Sequence, residues 1–319
     1  MKPKVLITRR VPQQGIDRVA EVCDVELWDS DLPIPREVLL EKVADKDGIY
    51  CLLTERINNE LLDAAPNLKV VSQMAVGFDN IDVPACTSRG IPVGNTPGVL
   101  TETTADFTWA LLMSAARRIV EGVEYVREGK WVTWGPLLLM GPDLYGATIG
   151  IVGMGRIGQA VARRAMGFGM RILYYDAQPI PGVAEEFGAT YVDMDTLLAE
   201  SDFVTLHVNL TPKTHHMINA AALRKMKSTA ILINAARGPV VDHNALVEAL
   251  RTGEIGYAAL DVTEPEPLPA DHPLVHMPNC IVVPHIASAS IATRTKMALM
   301  AAENLIAGVQ GQPLPTPVN

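Results

Sequence analysis

Short apolar runs alternate with amphipathic stretches along almost the whole chain. Runs at Lys4 to Arg9, Val25 to Trp28, Gly48 to Leu53 and Val70 to Gln73 predict strands. Apolar positions at helical spacing predict helices over Gln13 to Val22, Arg36 to Lys42 and Asn58 to Ala64. Strands that alternate with helices imply crossovers between parallel neighbours, so this half reads as a parallel sheet covered on both faces. Thr101 to Arg118 combines a Thr and Glu capping pattern with a long apolar face, which predicts a helix crossing into a second unit. Glu128 to Tyr145 has no clean period and holds Trp131, Trp134, Gly135, Pro136 and a leucine run. It predicts an arm, and an exposed apolar arm points to a subunit contact.

The alternation resumes at Ala147. Strands are predicted at Ile149 to Val152, Ile172 to Tyr175, Thr190 to Val192, Phe203 to His207, Ala230 to Asn234, Tyr257 to Val262 and Ile281 to Val283. Helices are predicted at Asp195 to Glu200, Ala220 to Lys225 and Asn244 to Thr252, and Ser288 to Gly308 is an Ala-rich helix that returns to the first unit. The fold class is therefore α/β: two doubly wound parallel-sheet domains, Rossmann-like or flavodoxin-like, with a cleft between them. The expected division is residues 1–99 plus 287–319, and residues 100–286.

The stretch ATIGIVGMGRIGQAVARRAMGFGMRILYYD changes this outline into a chemical one. It sets Gly153, Gly155 and Gly158 as G-x-G-x-x-G between an apolar run and a helical pattern, and a second apolar run ends on Asp176. Strand, tight turn, helix and strand in this order is the dinucleotide-binding unit. Gly153 permits the turn, Gly155 lets backbone approach a pyrophosphate at the helix N-terminus, and Gly158 lets the helix pack close to the strand. Asp176 can accept hydrogen bonds from the adenosine ribose and repels a 2′-phosphate, while Ala177, Gln178 and Pro179 after it offer no arginine, so NAD is expected over NADP.

Composition narrows the class. A net charge of −9 over 319 residues argues against nucleic acid or an acidic membrane surface as the main partner. The first apolar run is too short for a signal-peptide core, and no window is long enough to span a bilayer. Cys23, Cys51, Cys86 and Cys280 are widely spaced, as expected for reduced thiols in the cytoplasm.

Ligands of doubly wound sheets bind beyond the carboxyl ends of the strands, which singles out Asp176, His207, the run Asn234 to Gly238, Asp261 and His285. Arg237 offers the planar donor fork that suits a carboxylate. Glu266, in the run DVTEPEPLP, could orient the imidazole of His285 for acid and base work. Adjacent His215 and His216 would point to opposite sides of an extended strand, so no metal site is expected.

Five stretches together resemble the D-isomer-specific 2-hydroxyacid dehydrogenase family: LKVVSQMAVGFDNID (68–82), TPGVLTETTADFTWALLM (96–113), IGIVGMGRIGQAVA (149–162), INAARGPVVDHNALVEALRTGEIGYAALDVTEPEPLP (233–269) and PNCIVVPHIASAS (278–290). The resemblance implies a catalytic set of Arg237, Glu266 and His285, with the substrate held by Arg237, His285, Leu53, Val76 and Gly77. It also implies that Thr104, Arg156, Ile157, His207, Pro212, Ala235, Arg237, Asp261 and His285 join the glycines and Asp176 around NAD, with Asp261 on the nicotinamide carboxamide. Residues 1–99 and 287–319 would then bind substrate and 100–286 the dinucleotide.

The runs CLLTERIN (51–58) and EGKWVTWGPLLLMGPDLYG (128–146) resemble the glyoxylate and hydroxypyruvate reductase branch, which implies a small 2-oxo acid substrate and a homodimer with the Trp131/Trp134 arm near the neighbouring subunit. Many members of that branch carry a basic residue where Asp176 stands. Within the family, oxidation of 3-phosphoglycerate, D-lactate or phosphite remains an alternative activity, and a dinucleotide-sensing corepressor shares the fold without being an enzyme.

Overall fold

The computed structural model describes residues 2–319, and the chain folds into two compact units. One runs from the amino terminus to Leu100 and takes in Ala289–Asn319; the other is Thr101–Ser288.

The smaller unit holds five strands, β1 (Lys4–Ile7), β2 (Asp24–Leu27), β3 (Gly48–Cys51), β4 (Val70–Gln73) and β5 (Val93–Gly94). They pair in parallel in the order β2-β1-β3-β4-β5. Side chains alternate across this sheet: Val5 and Ile7 enter one core and Leu6 the other, all with no exposed surface. The helix Ile291–Val309 lies on the first face, where Ala298, Ala301, Ala302 and Leu305 are fully buried. Two strand hydroxyls bond its backbone, Tyr50 Oη to the Ala298 carbonyl at 3.2 Å and Ser72 Oγ to that of Ala301 at 2.7 Å. That is how the carboxyl-terminal segment completes a domain begun at the other end of the chain.

The larger unit holds seven strands, β6 (Thr148–Val152), β7 (Arg171–Tyr175), β8 (Thr190–Tyr191), β9 (Phe203–Leu206), β10 (Ile231–Asn234), β11 (Tyr257–Leu260) and β12 (Cys280–Val282). Their order is β12-β11-β10-β9-β6-β7-β8, parallel throughout. Ile231 and Ile233 of β10 face one core while Leu232 faces the other, which is why these strands read as near-continuous apolar runs. The order of strands reverses between β6 and β9, and this switch point is where an open α/β sheet offers its ligand crevice.

Several elements carry too little periodicity to be seen in the sequence. They are the helices Val83–Ser88, Val183–Phe187 and Pro273–His276, the two-residue β5, and a helix over Ile119–Arg127. The last of these follows Arg118, which takes a left-handed φ of 52° and so ends the predicted Thr101 to Arg118 helix at Ala116. Among the described residues no helix is long and apolar enough to cross a membrane.

Candidate active site

Because all seven strands of the larger unit run the same way, their carboxyl ends share one edge. Gly153 follows β6, Asp176 follows β7, His207 follows β9, Ala235 to Arg237 follow β10, Asp261 follows β11, and His285 lies just past β12. The switch point falls between Gly153 and His207.

The glycine turn is shaped for a phosphate group. Gly153 has φ +96°, and a Cβ there would stand 2.8 Å from the backbone of His207. A Cβ on Gly158 would come within 2.1 Å of the Gly153 carbonyl oxygen, so the helix Arg156–Gly167 sits on the turn more closely than any side chain allows. A Cβ on Gly155 would meet nothing within 4 Å. No side chain caps this helix and its first turn carries no acid, which leaves its N–H groups for an anion. Arg156 and Ile157 open the helix at that point.

Asp176 is tied to the same turn: its Oδ2 accepts from the Met154 N–H at 2.8 Å and its Oδ1 from that of Ala177 at 2.7 Å. His207 shares a hydrogen bond with Thr205 Oγ1 at 2.9 Å through Nε2, while its buried Nδ1 has no partner. Desolvation pushes this imidazole down to about 3, so it is neutral at ordinary pH. Open space at Gly155, an uncapped helix and an orphaned buried nitrogen together fit a dinucleotide on this edge. Thr104 is buried on the helix Thr101–Ala116, and Pro212 and Ala235 stand in the loops after β9 and β10.

On the same edge, Nδ1 of His285 lies 2.5 Å from Oε1 of Glu266, whose Oε2 accepts from the Thr263 N–H at 3.3 Å. Burial alone would push the Glu266 carboxyl up. The hydrogen bond and charge of His285, the Thr263 N–H and the charge of Arg237 outweigh it and hold the group below the ordinary value. His285 takes φ +53°, a left-handed conformation that costs a non-glycine residue about 1–2 kcal/mol. Its own N–H bonds the Asp261 carbonyl at 2.9 Å. The Asp261 carboxylate, almost fully buried, accepts from the N–H groups of Ile286 at 2.6 Å and Ala287 at 3.0 Å. Burial pushes the Asp261 carboxyl up against the pull of those two bonds. Asp261 thus grips the backbone on both sides of the strained histidine. Nδ1 is committed to Glu266, so Nε2 is the imidazole atom not engaged by that carboxylate.

Arg237 opens a short 3-10 turn over Gly238–Val240, and its Nη1 donates to the Ala236 carbonyl at 2.8 Å. Asn234 shapes the loop that presents it, donating from Nδ2 to the Arg237 carbonyl at 2.9 Å and accepting from the Ala236 N–H at 3.0 Å. A Cβ on Gly238 would be 1.9 Å from the Thr263 carbonyl oxygen, so the arginine loop packs directly on the segment that leads to Glu266.

In the smaller unit, Leu53 follows β3 and Val76 and Gly77 follow β4, at neighbouring carboxyl ends of the sheet. Their loops are held by an amide pair that sequence reasoning missed. Gln73 Nε2 donates to the Gly77 carbonyl and to Asn80 Oδ1, each at 2.7 Å, and Asn80 Nδ2 donates to the Leu52 and Glu55 carbonyls at 3.0 and 2.8 Å. Asn95 holds the Val76 carbonyl at 2.7 Å. Among the described residues the N–H groups of Leu53, Val76 and Gly77 donate to no protein acceptor. The only signal for the amide pair was its place in the run SQMAVGFDN.

One expectation needs correcting. His215 and His216 are not on a strand but in a turn after β9, and His216 takes φ +50°. That left-handed residue brings the two rings to the same side, stacked with centroids 4.0 Å apart.

Similarity to known proteins agrees with this geometry. Residues 109–287 match the model of the D-isomer specific 2-hydroxyacid dehydrogenase NAD-binding domain. The glyoxylate reductase of Korarchaeum cryptofilum is 55% identical over 320 residues, covering 100% of this chain and 96% of its own length. That of Thermococcus onnurineus is 53% identical, with coverage of 100% and 96%. Among solved structures, the TT0316 protein of Thermus thermophilus superposes with a TM-score of 0.94 at 48% identity, over 99% of this chain and all of its own. The NADPH-dependent glyoxylate/hydroxypyruvate reductase of Sinorhizobium meliloti, solved with NADP and malonate, gives a TM-score of 0.88 at 34% identity, over 100% of this chain and 97% of its own. Two parallel sheets, a dinucleotide turn and full-length similarity converge: this chain belongs to the D-isomer-specific 2-hydroxyacid dehydrogenase family.

Proposed function

We propose that this protein reduces glyoxylate, and hydroxypyruvate beside it, to the corresponding 2-hydroxy acid with NADH. The observation that carries the reading is the His285–Glu266 contact of 2.5 Å on the strand edge that also presents Arg237 and the dinucleotide turn. The dinucleotide, when bound, supplies hydride to the carbonyl carbon. His285 delivers a proton from Nε2 to the carbonyl oxygen, so carbon gains two electrons and oxygen gains the proton. Glu266 holds the ring in the tautomer with hydrogen on Nδ1. Arg237 grips the substrate carboxylate with two parallel N–H donors and draws electron density from the adjacent carbonyl.

Leu53, Val76 and Gly77 enter as backbone donors to the same anion, on the strength of the family resemblance and of N–H groups that have no protein acceptor. Asp261 is assigned to the nicotinamide carboxamide, and its spare lone pairs allow that beside its two backbone bonds. Thr104, Arg156, Ile157, His207, Pro212 and Ala235 are assigned to the dinucleotide with the three glycines.

NADH is favoured over NADPH because Asp176 directly follows β7 and Ala177, Gln178 and Pro179 come after it without a cation. A homodimer is favoured by the apolar arm: Trp131, Val132, Trp134 and Leu137 are 61, 91, 78 and 80% exposed, and Val120, Val123 and Val126 line the helix before them. By the branch resemblance, a second copy covering this surface would have Trp131 and Trp134 near its own site. Four free cysteines fit a reducing cytoplasm.

The test is NADH and NADPH oxidation with glyoxylate, hydroxypyruvate, pyruvate and 3-phosphohydroxypyruvate. Highest kcat/KM for glyoxylate or hydroxypyruvate with NADH is expected; turnover confined to the phosphorylated acid or to pyruvate would refute the substrate assignment.

A further inference from the structure

We propose that His215, His216 and Glu264 form a binding site for a divalent transition ion of the zinc type. The two histidines stand in the turn after β9, and Glu264 stands in the segment after β11, two residues ahead of Glu266. An extended chain would send adjacent side chains to opposite sides. Here the left-handed φ of +50° at His216 stacks its ring on that of His215, at 4.0 Å between centroids and 29° between planes. Both rings offer Nε2 to one carboxylate. His216 Nε2 is 2.7 Å from Glu264 Oε2, and His215 Nε2 is 3.9 Å from Oε1. One ligand atom from each of the three residues lies within 4.8 Å of the others.

The spacing suits an ion between them. Zinc bound tetrahedrally by imidazole nitrogen and carboxylate oxygen at about 2.0–2.1 Å keeps its ligand atoms about 3.3 Å apart. The contacts of 2.7 and 3.9 Å bracket that value. Opening the first contact and closing the second by about 0.6 Å brings each imidazole to the zinc spacing from the Glu264 carboxylate, and the remaining pair, the two imidazole nitrogens, starts within 4.8 Å. The side chains are free enough to move so far, being 51, 37 and 36% exposed for His215, His216 and Glu264. A lone ion pair accounts for His216 facing Glu264 but not for His215 turned to the same carboxylate.

Two imidazoles and one carboxylate also choose the ion: magnesium and calcium want all-oxygen shells, whereas zinc, cobalt and nickel accept this mixture and complete it with water. A bound ion would join the turn after β9 to the segment carrying Glu266 and would stabilise the fold by mass action. The site does not depend on the proposed reaction.

The experiment is calorimetric titration of chelator-stripped full-length protein with zinc chloride, paired with thermal unfolding with and without zinc. One ion per chain is expected, with a raised Tm. His215→Ala, at an exposed position, should fold normally, bind zinc about tenfold or more weakly and lose the Tm rise. Glu264→Gln should weaken binding similarly, whereas His285→Ala should bind like the wild type. Absence of zinc binding, or equal affinity in His215→Ala, overturns the site; loss of binding in His285→Ala overturns it too, by placing the ion on the catalytic pair instead.

Discussion

Nδ1 of His285 lies 2.5 Å from Oε1 of Glu266, a residue 19 positions earlier, on the loop that follows the neighbouring strand. The contact joins two strand ends that the chain reaches separately, and the backbone on the histidine side is gripped by Asp261 through Ile286 and Ala287. Glu266→Gln keeps the shape but exchanges a carboxylate for an amide. Its kcat for glyoxylate should fall about tenfold to a hundredfold, with KM changed less than about twofold, in steady-state assays. An unchanged kcat would make Glu266 a structural neighbour only.

The three glycines separate stability from binding. Gly155→Ala adds a methyl where nothing stands within 4 Å, so Tm should stay within a few degrees while NADH affinity drops about tenfold or more. Gly158→Ala forces a Cβ to within 2.1 Å of the Gly153 carbonyl oxygen and should lower Tm itself. Thermal unfolding and NADH fluorescence titration of both variants check the pair. Undiminished NADH affinity in Gly155→Ala would move the pyrophosphate elsewhere.

Asp176 is the residue to which the proposed preference for NADH is assigned. Asp176→Ala removes a carboxylate held beside the glycine turn by Met154 and Ala177. The ratio of kcat/KM for NADH over NADPH should shrink by about tenfold or more, chiefly through KM. A ratio as wide as in the wild type would show that discrimination lies elsewhere.

His207 predicts a pH dependence of stability. Its folded pKa is lowered by burial from 6.5 to about 3, so between those values the unfolded chain binds the extra proton and stability falls as pH falls. Glu266, also lowered from 4.5, adds stability that is present above that pH and lost as pH drops through its folded value. Asp261, raised from 3.8, works the opposite way and gains on acidification. From pH 6.5 to 5 the slope comes from His207 together with His243, whose pKa burial also lowers from 6.5; His207 contributes at most about 1.4 kcal/mol per pH unit, and His207→Gln should reduce the slope by that share while the part from His243 stays. Urea unfolding across that range measures it, and identical slopes in both proteins would contradict the role given to burial.

Most of the fold was legible because parallel strands buried on both faces read as apolar runs. Ile231 to Asn234 and Phe203 to Leu206 are fully buried in that way. What escaped was short or lacked a period, as with the helices Val83–Ser88 and Val183–Phe187. The glycine turn was legible since three steric demands fall at set spacing. The meeting of His285 with Glu266 was suggested by the family resemblance, but residue spacing could not show it, because it depends on which strands are neighbours. The Gln73–Asn80 pair was hidden for another reason: an amide announces nothing until its partners are in space. His215 and His216 misled because a single left-handed residue reverses where a side chain points.

The most direct measurement is the rate of NADH oxidation by glyoxylate in wild type and His285→Ala, alongside NADH binding to each. With His285 as the proton donor, kcat should fall about 10²–10⁴-fold while NADH affinity stays within about twofold. A variant that turns over glyoxylate at the wild-type rate would contradict this role, because the proton would then come from somewhere other than His285.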